Sequence, residues 1–417
     1  MFSCILRRMT QSARSFDSIA VHAGREDLIR LGVHAPPIDL SSTNPLPDSE
    51  AGGASYESMA GGGRPLAEGG AVYARLWNLT VARFESALAQ LERTEDAVAF
   101  SSGMAAMTAS VLAAKAEHGG RHVVAVRPLY GGTDHLLASG LLDVEVTYCE
   151  PHQVADAVTG HTCLVVVETP ANPTLELTDI GAVVTAAAGC PVLVDNTFAT
   201  PVLQQPALHG AGLVLHSATK YLGGHGDVVG GVIAADAGWS AALRRVRAVT
   251  GALLHPMAGY LLHRGLATLP VRVRRQQETA AELADWLRFQ PGVRQVFYPG
   301  LDGNGAGLLG RQMNGSGAMI SIRLAGGHEH AMRVTDRVRL FTHAVSLGGV
   351  DSLIEHPAAL THRPVPEGAR PGADILRLSI GLEDVEDLRA DLDQALAAAS
   401  TGGLVQAASS GAPGSGR

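Results

Sequence analysis

Residues 162–196 read TCLVVVETPANPTLELTDIGAVVTAAAGCPVLVDN, and this stretch decides the fold. Two continuous apolar runs, TCLVVVET and CPVLVDN, lack the alternation of a half-buried strand. They predict strands buried on both faces. Between them DIGAVVTAAAG is helical in character. Strand, helix, strand in that order is the unit of a parallel sheet.

The same alternation continues on either side. Upstream, NLTVARFESALAQLER has helical spacing at Val81, Phe84, Leu88 and Leu91. DAVAF is a strand, SGMAAMTASVLAAKA a helix, and RHVVAVRPL a strand. TDHLLASGL follows a Gly-Gly turn, and VEVTYC is a further strand. Downstream, GLVLHS and GGVIAA close the series. The fold class is α/β, a mostly parallel sheet covered by helices.

Near residue 262 the character changes. VRVRRQQETAAELADWLRFQ is a long amphipathic helix, GAMISIRL and ILRLSIGL are strands, and DVEDLRADLDQALAAA is a final helix. These predict a smaller C-terminal α/β domain. The expected division is an N-terminal arm and glycine-rich loop over 1–70, a large domain over 71–262, the smaller domain over 263–399, and a disordered tail over 400–417. The stretch EAGGASYESMAGGGRPLAEGGA at 50–71 has no periodicity and reads as a mobile loop, a lid or a tolerated insertion.

At 417 residues the chain exceeds what one core usually supports, so two domains fit its length. A net charge of −8 with no Lys/Arg-dense block argues against nucleic acid or an anionic membrane as the main partner. No apolar run approaches the roughly 18 residues of a membrane span. Cys4, Cys149, Cys163 and Cys190 are scattered without metal-ligand spacing, so no metal is expected and a reducing cytoplasm is. The opening MFSCILRRMTQSARS matches a signal peptide poorly, and Met9 competes with Met1 as the start.

Of 32 basic residues only Lys115 and Lys220 are lysines. Where arginine has replaced lysine so thoroughly, a surviving lysine has work arginine cannot do: losing its proton and attacking a carbonyl. Lys115 lies at a polar helix end and reads as a surface residue. Lys220 lies in LVLHSATKYLGGHGD, directly after an apolar run.

Ligands of open α/β sheets bind beyond the carboxyl ends of the strands. Four polar clusters fall there: Ser101-Ser102-Gly103-Met104, Tyr130-Gly131-Gly132-Thr133, Asp195-Asn196, and Ser217-Ala218-Thr219-Lys220. Pyridoxal 5'-phosphate would use all four, since it needs a lysine imine, a carboxylate on its ring nitrogen, phosphate donors and an aromatic face. Lys220 would supply the amine and Asp195 the carboxylate. Ser102, Gly103, Met104, Ser217 and Thr219 would lie about the phosphate at a helix N-terminus. Tyr130 would stack on the ring.

Taken singly, each has a plainer reading: a strand-end Asp as a turn residue, SSGM as an ordinary N-cap, Tyr130 as a packed aromatic. Their recurrence at successive strand ends, with so little lysine in the chain, carries the cofactor reading. GGHGDVVGG is a loose dinucleotide fingerprint, and a nucleotide-binding oxidoreductase built on it is the alternative from another class. A non-catalytic binding protein on the same fold is a third.

In order along the chain, SIAVHAG, VYARLWNLT, FSSGMAA, LYGGT, VVVETPANPT, VLVDNTFATP, HSATKYLGGHGD, RGLATLPVR, VSLGGVDSLIEHPA and ILRLSIGLED resemble the Cys/Met-metabolism family of pyridoxal-phosphate enzymes. That family holds the cystathionine γ-synthases and γ-lyases, the methionine γ-lyases and the homoserine-ester sulfhydrylases. The resemblance implies fold type I and a homotetramer of two tight dimers. It implies that Tyr73 and Arg75 reach the cofactor phosphate of a neighbouring copy. It further implies that Arg377 clamps the substrate α-carboxylate, that Asn172 stands near the cofactor 3-oxygen, and that Ser346 positions the lysine or the substrate.

The implied activity is γ-elimination or γ-replacement on a sulfur amino acid or homoserine ester, with Lys220 moving protons and Tyr130 protonating the leaving sulfur. His135 stands where cystathionine-handling members have an arginine, and is expected at the substrate. Methionine γ-lyases carry a cysteine where this chain has Gly132. Asn78-Leu79-Thr80 replaces a common Asn-Pro-Thr, and Asp351 stands where many members have Glu. The substrate stays open between cystathionine, methionine and a homoserine ester.

Overall fold

A computed structural model of the chain describes residues 14–301, 303–305 and 307–409, with side chains through 399. Cys4, Met9 and positions 410–417 of the expected tail lie outside the described residues.

The first sheet has seven strands: β1 (Asp96–Phe100), β2 (His122–Val126), β3 (Glu145–Cys149), β4 (Thr162–Glu168), β5 (Val192–Asp195), β6 (Leu213–Ser217) and β7 (Gly231–Ala235). Their order is β1-β7-β6-β5-β4-β2-β3. Strands β2 to β6 pair in parallel, whereas β7 runs antiparallel to both β6 and β1. The reversal of β7 leaves β1 pointing the same way as β2 to β6. The carboxyl ends of six strands and the start of β7 therefore share one edge.

The continuous apolar runs have a direct cause in the packing. Leu164, Leu193, Leu213 and Leu215 pack with Met107 and Val111 of helix Gly103–His118 on one face. Val165, Val167, Val192 and Val194 pack with Ile180 and Val183 of helix Ile180–Ala186 on the other. Both sides of each central strand are out of water, so neither can be polar.

A second sheet of five strands comprises β8 (Val293–Phe297), β9 (Met319–Leu324), β10 (Thr342–His343), β11 (Leu353–Glu355) and β12 (Ile375–Ser379), in the order β10-β11-β12-β9-β8. The sequence pattern marks β9 and β12, which are central and almost wholly buried. It misses β8, which has a single buried residue, and β10 and β11, which are only two to three residues long. Helix Leu269–Leu287 packs on this sheet, as its amphipathic pattern requires.

Two sequence expectations fail. The glycine-rich stretch is not a structureless loop: Ser49–Ala60 is a helix capped by Asp48, whose Oδ1 accepts from Ala51 N at 2.8 Å. Its Met59 packs on Leu76 and Ala248. Gly69 is small because a Cβ there would lie 2.1 Å from the Ala51 carbonyl oxygen. Close packing, rather than chain freedom, selects glycine here. The final helix, Val385–Ser409, also runs past residue 400, where the tail was expected to begin.

Candidate active site

A cavity of about 430 Å³ opens along the shared strand edge. Its floor comes from residues just after β1, β2, β4, β5 and β6. Its far wall is Val345 to Leu347, Leu360, Thr361 and Arg377, contributed by the second sheet and its loops. Strand ends of the first sheet and one wall of the second thus bring the chemistry-bearing residues together.

Lys220 follows β6 in a turn closed by its own N–H on the Ser217 carbonyl at 3.1 Å. Its Nζ donates to Ser346 Oγ at 2.6 Å. Burial, helped by the positive charge of Arg377 and opposed by Glu355, lowers the amine from 10.5 to about 8. Ser346 has φ 89°, a left-handed conformation rare for a residue with a Cβ.

Asp195 ends β5. Its Oδ1 accepts from Thr197 N at 3.1 Å and from Thr197 Oγ1 at 2.5 Å. Thr197 Oγ1 in turn accepts from Ser217 N at 2.9 Å, so one hydroxyl ties the end of β5 to the end of β6. Burial raises the Asp195 carboxyl above its ordinary value, against the Thr197 hydrogen bonds and the nearby His216. His216 Nε2 lies 2.5 Å from Glu92 Oε1 in the layer beneath, where both side chains are buried.

At the other end, Ser102 caps the sixteen-residue helix Gly103–His118, its Oγ accepting from Ala105 N at 3.1 Å. Gly103 abuts Ser217, where a Cβ would meet the Ser217 Cβ at 3.0 Å. A Cβ on Gly231 would lie 2.1 Å from Ser102 O. These glycines let the helix start sit directly over the strand ends. Thr219 Oγ1 is committed to Gly230, donating to its carbonyl at 3.2 Å and accepting from its N–H at 3.1 Å.

Tyr130 lines the cavity above the start of helix Gly131–Ala138. Burial, reinforced by the Glu355 charge, raises its phenol, which stays protonated at neutral pH. Its ring leaves no space beside Gly132: a Cβ there would lie 2.4 Å from Tyr130 Cε1.

Arg377 is 2% exposed. Its Nη1 donates to Asn172 Oδ1 at 3.0 Å, and its Nη2 donates to Ser346 O at 2.9 Å and to Glu355 Oε2. Its Nε is buried with no partner among the described residues.

Sequence reading missed two carboxylates. Glu168, the last residue of β4 and the register partner of Asp195, accepts from Tyr130 N at 2.6 Å and Asn172 N at 3.0 Å. Burial, then the Asp195 charge, raises it well above its ordinary value. Its place at a strand end was visible in the sequence. Glu355 was not marked, because β11 is too short to show a pattern. The reading of Lys115 also changes: its Nζ donates to Leu142 O at 2.6 Å and Asp143 O at 2.8 Å, tying down a turn.

Lys220, Tyr130, Ser102, Gly103, Met104, Asp195, Ser217, Thr219, Asn172, Ser346 and Arg377 all border the cavity. One residue expected there does not, and the two expected at a neighbouring copy's phosphate lie outside it. His135 is exposed, because helix Gly131–Ala138 turns Gly131, Thr133, Asp134 and Leu137 inward and leaves His135 on the solvent face. That is a correction to its expected place at the substrate. Tyr73 is 40% exposed, and Arg75 donates to Ala248 O with its guanidinium 5.5 Å from the Tyr73 ring. GGHGDVVGG runs through turns and bends straight into β7. No helix opens on its glycines, so the dinucleotide reading fails.

The donor set fits pyridoxal phosphate. Of the two lysines, the one with the lowered amine faces the cavity. Asp195, buried and raised, is stabilised as a carboxylate by any cation set against it. The Gly103 helix start, narrowed by absent Cβ atoms, suits a phosphate. Arg377 Nε is an unpaired buried donor that a carboxylate would satisfy.

Comparison with known proteins agrees. A family model described as Cys/Met metabolism PLP-dependent enzyme matches residues 17–397. An L-methionine gamma-lyase of Brevibacterium sandarakinum is 59% identical over 382 residues, covering 91% of this chain and 97% of that protein. A cystathionine gamma-synthase of Mycobacterium bovis is 41% identical over 394 residues, covering 90% of this chain and 95% of that protein. A solved cystathionine gamma synthase of Xanthomonas oryzae pv. oryzae superposes with a TM-score of 0.84 at 36% identity, covering 93% of this chain and 99% of that one.

Proposed function

The chain belongs to the Cys/Met metabolism PLP-dependent enzymes, and from that premise we propose that its principal reaction is γ-elimination on methionine. It is a PLP-dependent carbon–sulfur lyase or transferase of the trans-sulfuration type, acting at Cγ of an amino acid. The single observation that favours methionine is the lining of the cavity. Val345, Leu347, Leu360 and Met104 are apolar, and the cations bordering it among the described residues are Lys220 and Arg377. Arg377 serves the α-carboxylate, which leaves no cationic partner for the distal carboxylate of cystathionine. A thiomethyl group needs none. The 59% identity to a methionine γ-lyase, against 41% to a cystathionine γ-synthase, supports the same choice.

When bound, pyridoxal phosphate supplies a ring that takes up the electron pair released at the substrate Cα. The residues do the rest. Lys220 would hold the cofactor by its amine and, once freed by the substrate amine, would take the proton from Cα, give it up, and then take one from Cβ. The low basicity of its buried amine leaves it neutral part of the time near neutral pH. Asp195, fixed by Thr197, would set its carboxylate against the ring nitrogen. The helix start at Ser102, Gly103 and Met104, with Ser217 and Thr219, holds the phosphate. Tyr130, protonated and placed by Glu168, gives its proton to the departing sulfur. Arg377 takes the substrate carboxylate. Asn172 and Ser346 hold Arg377, and Ser346 also holds the Lys220 amine.

Tyr73 and Arg75 serve a neighbouring copy's phosphate, which accords with their place outside this cavity. That role needs at least a dimer; we place the chain in a homotetramer, and exposed Leu79 and Val249 suit buried contacts between copies. We place the enzyme in the cytoplasm, a setting suited to its free Cys149, Cys163 and Cys190. Among the described residues no helix is long and apolar enough to cross a membrane.

The test is a steady-state panel of L-methionine, L-cystathionine and O-acetyl-L-homoserine, read by 2-oxobutanoate release. Methionine is expected to exceed cystathionine in kcat/KM by about tenfold or more, the worth of one unpaired distal charge. A preference for cystathionine overturns the proposal.

A further inference from the structure

Glu355 and Arg377 stand directly opposite each other on antiparallel β11 and β12. Both are almost fully buried, and Nη2 of Arg377 donates to Glu355 Oε2. The other carboxylate oxygen, Oε1, accepts from Thr361 Oγ1, and Thr361 lines the cavity. Its carbonyl packs on the Tyr130–Gly131 turn, where a Cβ on Gly131 would lie 2.3 Å from it. Glu355 therefore joins the arginine to the loop that forms one wall of the site.

An arginine this deeply buried cannot wait for substrate without a counter-charge, because an unpaired buried cation is strongly destabilising. Yet a cation fully satisfied by a resident anion would have little attraction left for a carboxylate. The hydrogen bonds resolve the conflict. Glu355 and the Ser346 carbonyl take both Nη2 hydrogens, Asn172 takes one of the two on Nη1, and the second Nη1 hydrogen and Nε keep no partner among the described residues.

We propose that Glu355 is a positioning residue: the resident counter-anion that holds Arg377 in the cavity wall, tempers its charge, and leaves Nε and the second Nη1 hydrogen as the donors for the substrate carboxylate. This rests on Arg377 receiving that carboxylate. Glu355 does not touch the reacting atoms. It sets how strongly an amino acid is preferred over the corresponding amine.

The test uses the holoenzyme and two unreactive probes, norleucine and pentylamine, which differ only in the carboxylate. Affinities are measured by calorimetry, and thermal midpoints with and without each probe. In Glu355→Gln the norleucine-to-pentylamine affinity ratio is expected to rise at least fivefold over the parent. The thermal midpoint is expected to fall and to be restored by norleucine but not by pentylamine. Glu355→Asp, which keeps the charge, is expected to hold the ratio within twofold. A ratio unchanged or lowered in Glu355→Gln, or a midpoint restored equally by both probes, overturns the proposal.

Arg377→Gln separates the premise from the inference. If it keeps the parent's preference for norleucine, the carboxylate reading itself fails. If it loses that preference while Glu355→Gln changes nothing, the role given to Glu355 fails alone. Should Glu355→Gln not fold, Thr361→Val replaces it: without the Thr361 donor more of the Glu355 charge falls on Arg377. The ratio should then drop at least twofold, and no drop overturns the proposal.

Discussion

Lys220 Nζ donates to Ser346 Oγ at 2.6 Å, and this bond joins the two sheets across the cavity. Ser346 holds φ 89° while its carbonyl accepts from Arg377 Nη2. One strained residue thus aims a hydroxyl at the amine and a carbonyl at the guanidinium.

Ser346→Ala and Ser346→Gly separate the two contributions. Both lose the hydroxyl, and a lost orienting hydrogen bond of about 1 kcal/mol predicts a fall in kcat of roughly fivefold. Glycine also relieves the left-handed backbone, so Ser346→Gly should be more stable than Ser346→Ala by about 1 kcal/mol. Thermal unfolding of the two variants checks this, and equal stabilities would remove strain from the account.

The lowered Lys220 amine has a signature in the cofactor-free enzyme. Its folded value, about 8, lies below the ordinary 10.5, so between these two pH values the unfolded chain binds more protons than the folded one. Stability therefore rises with pH across that window, and the full penalty is present below pH 8. Lys220→Met removes the amine at similar volume. At pH 7 it should stabilise the cofactor-free protein by up to about 3 kcal/mol, an advantage that fades as pH approaches 10.5. Urea unfolding at pH 7 and pH 10 tests it. An advantage independent of pH would contradict the buried-amine reading.

Gly231 stands against the helix start that is assigned to the phosphate. Gly231→Ala would put a Cβ 2.1 Å from the Ser102 carbonyl, pushing the Ser102–Gly103 turn off the strand ends. Cofactor retention on dialysis should fall about tenfold or more, with a stability loss of about 1–3 kcal/mol. Full retention would place the phosphate elsewhere.

Gly132 sits under Tyr130, and a Cβ there meets the ring at 2.4 Å. Tyr130→Phe should lower kcat for methionine at least tenfold, with KM changed less, because the phenol is assigned to bond cleavage rather than to binding. If kcat is kept, Tyr130 is not the proton donor.

The sequence revealed the first sheet well and the second poorly, for a physical reason. TCLVVVE, VLVD and LVLHS are covered on both faces, so burial writes itself as an unbroken apolar run. Strand β11 is three residues long and ends on the buried Glu355, which no hydrophobic pattern can announce. Polar residues at the ends of long strands were legible because strand direction alone fixes their edge. His135 was misplaced because its helix is short, and which face it turns inward depends on Leu137 and Thr133 packing rather than on local sequence. The glycine-rich stretch looks like a loop in sequence because its glycines serve close contact, a use that composition does not distinguish from freedom.

The most direct test of the whole account is borohydride reduction of the holoenzyme followed by peptide mapping. The chain offers two lysines, so the answer is binary. The account predicts the reduced phosphopyridoxyl group on the peptide containing Lys220 and none on the peptide containing Lys115. A label on Lys115, or a holoenzyme that takes no label, would contradict it.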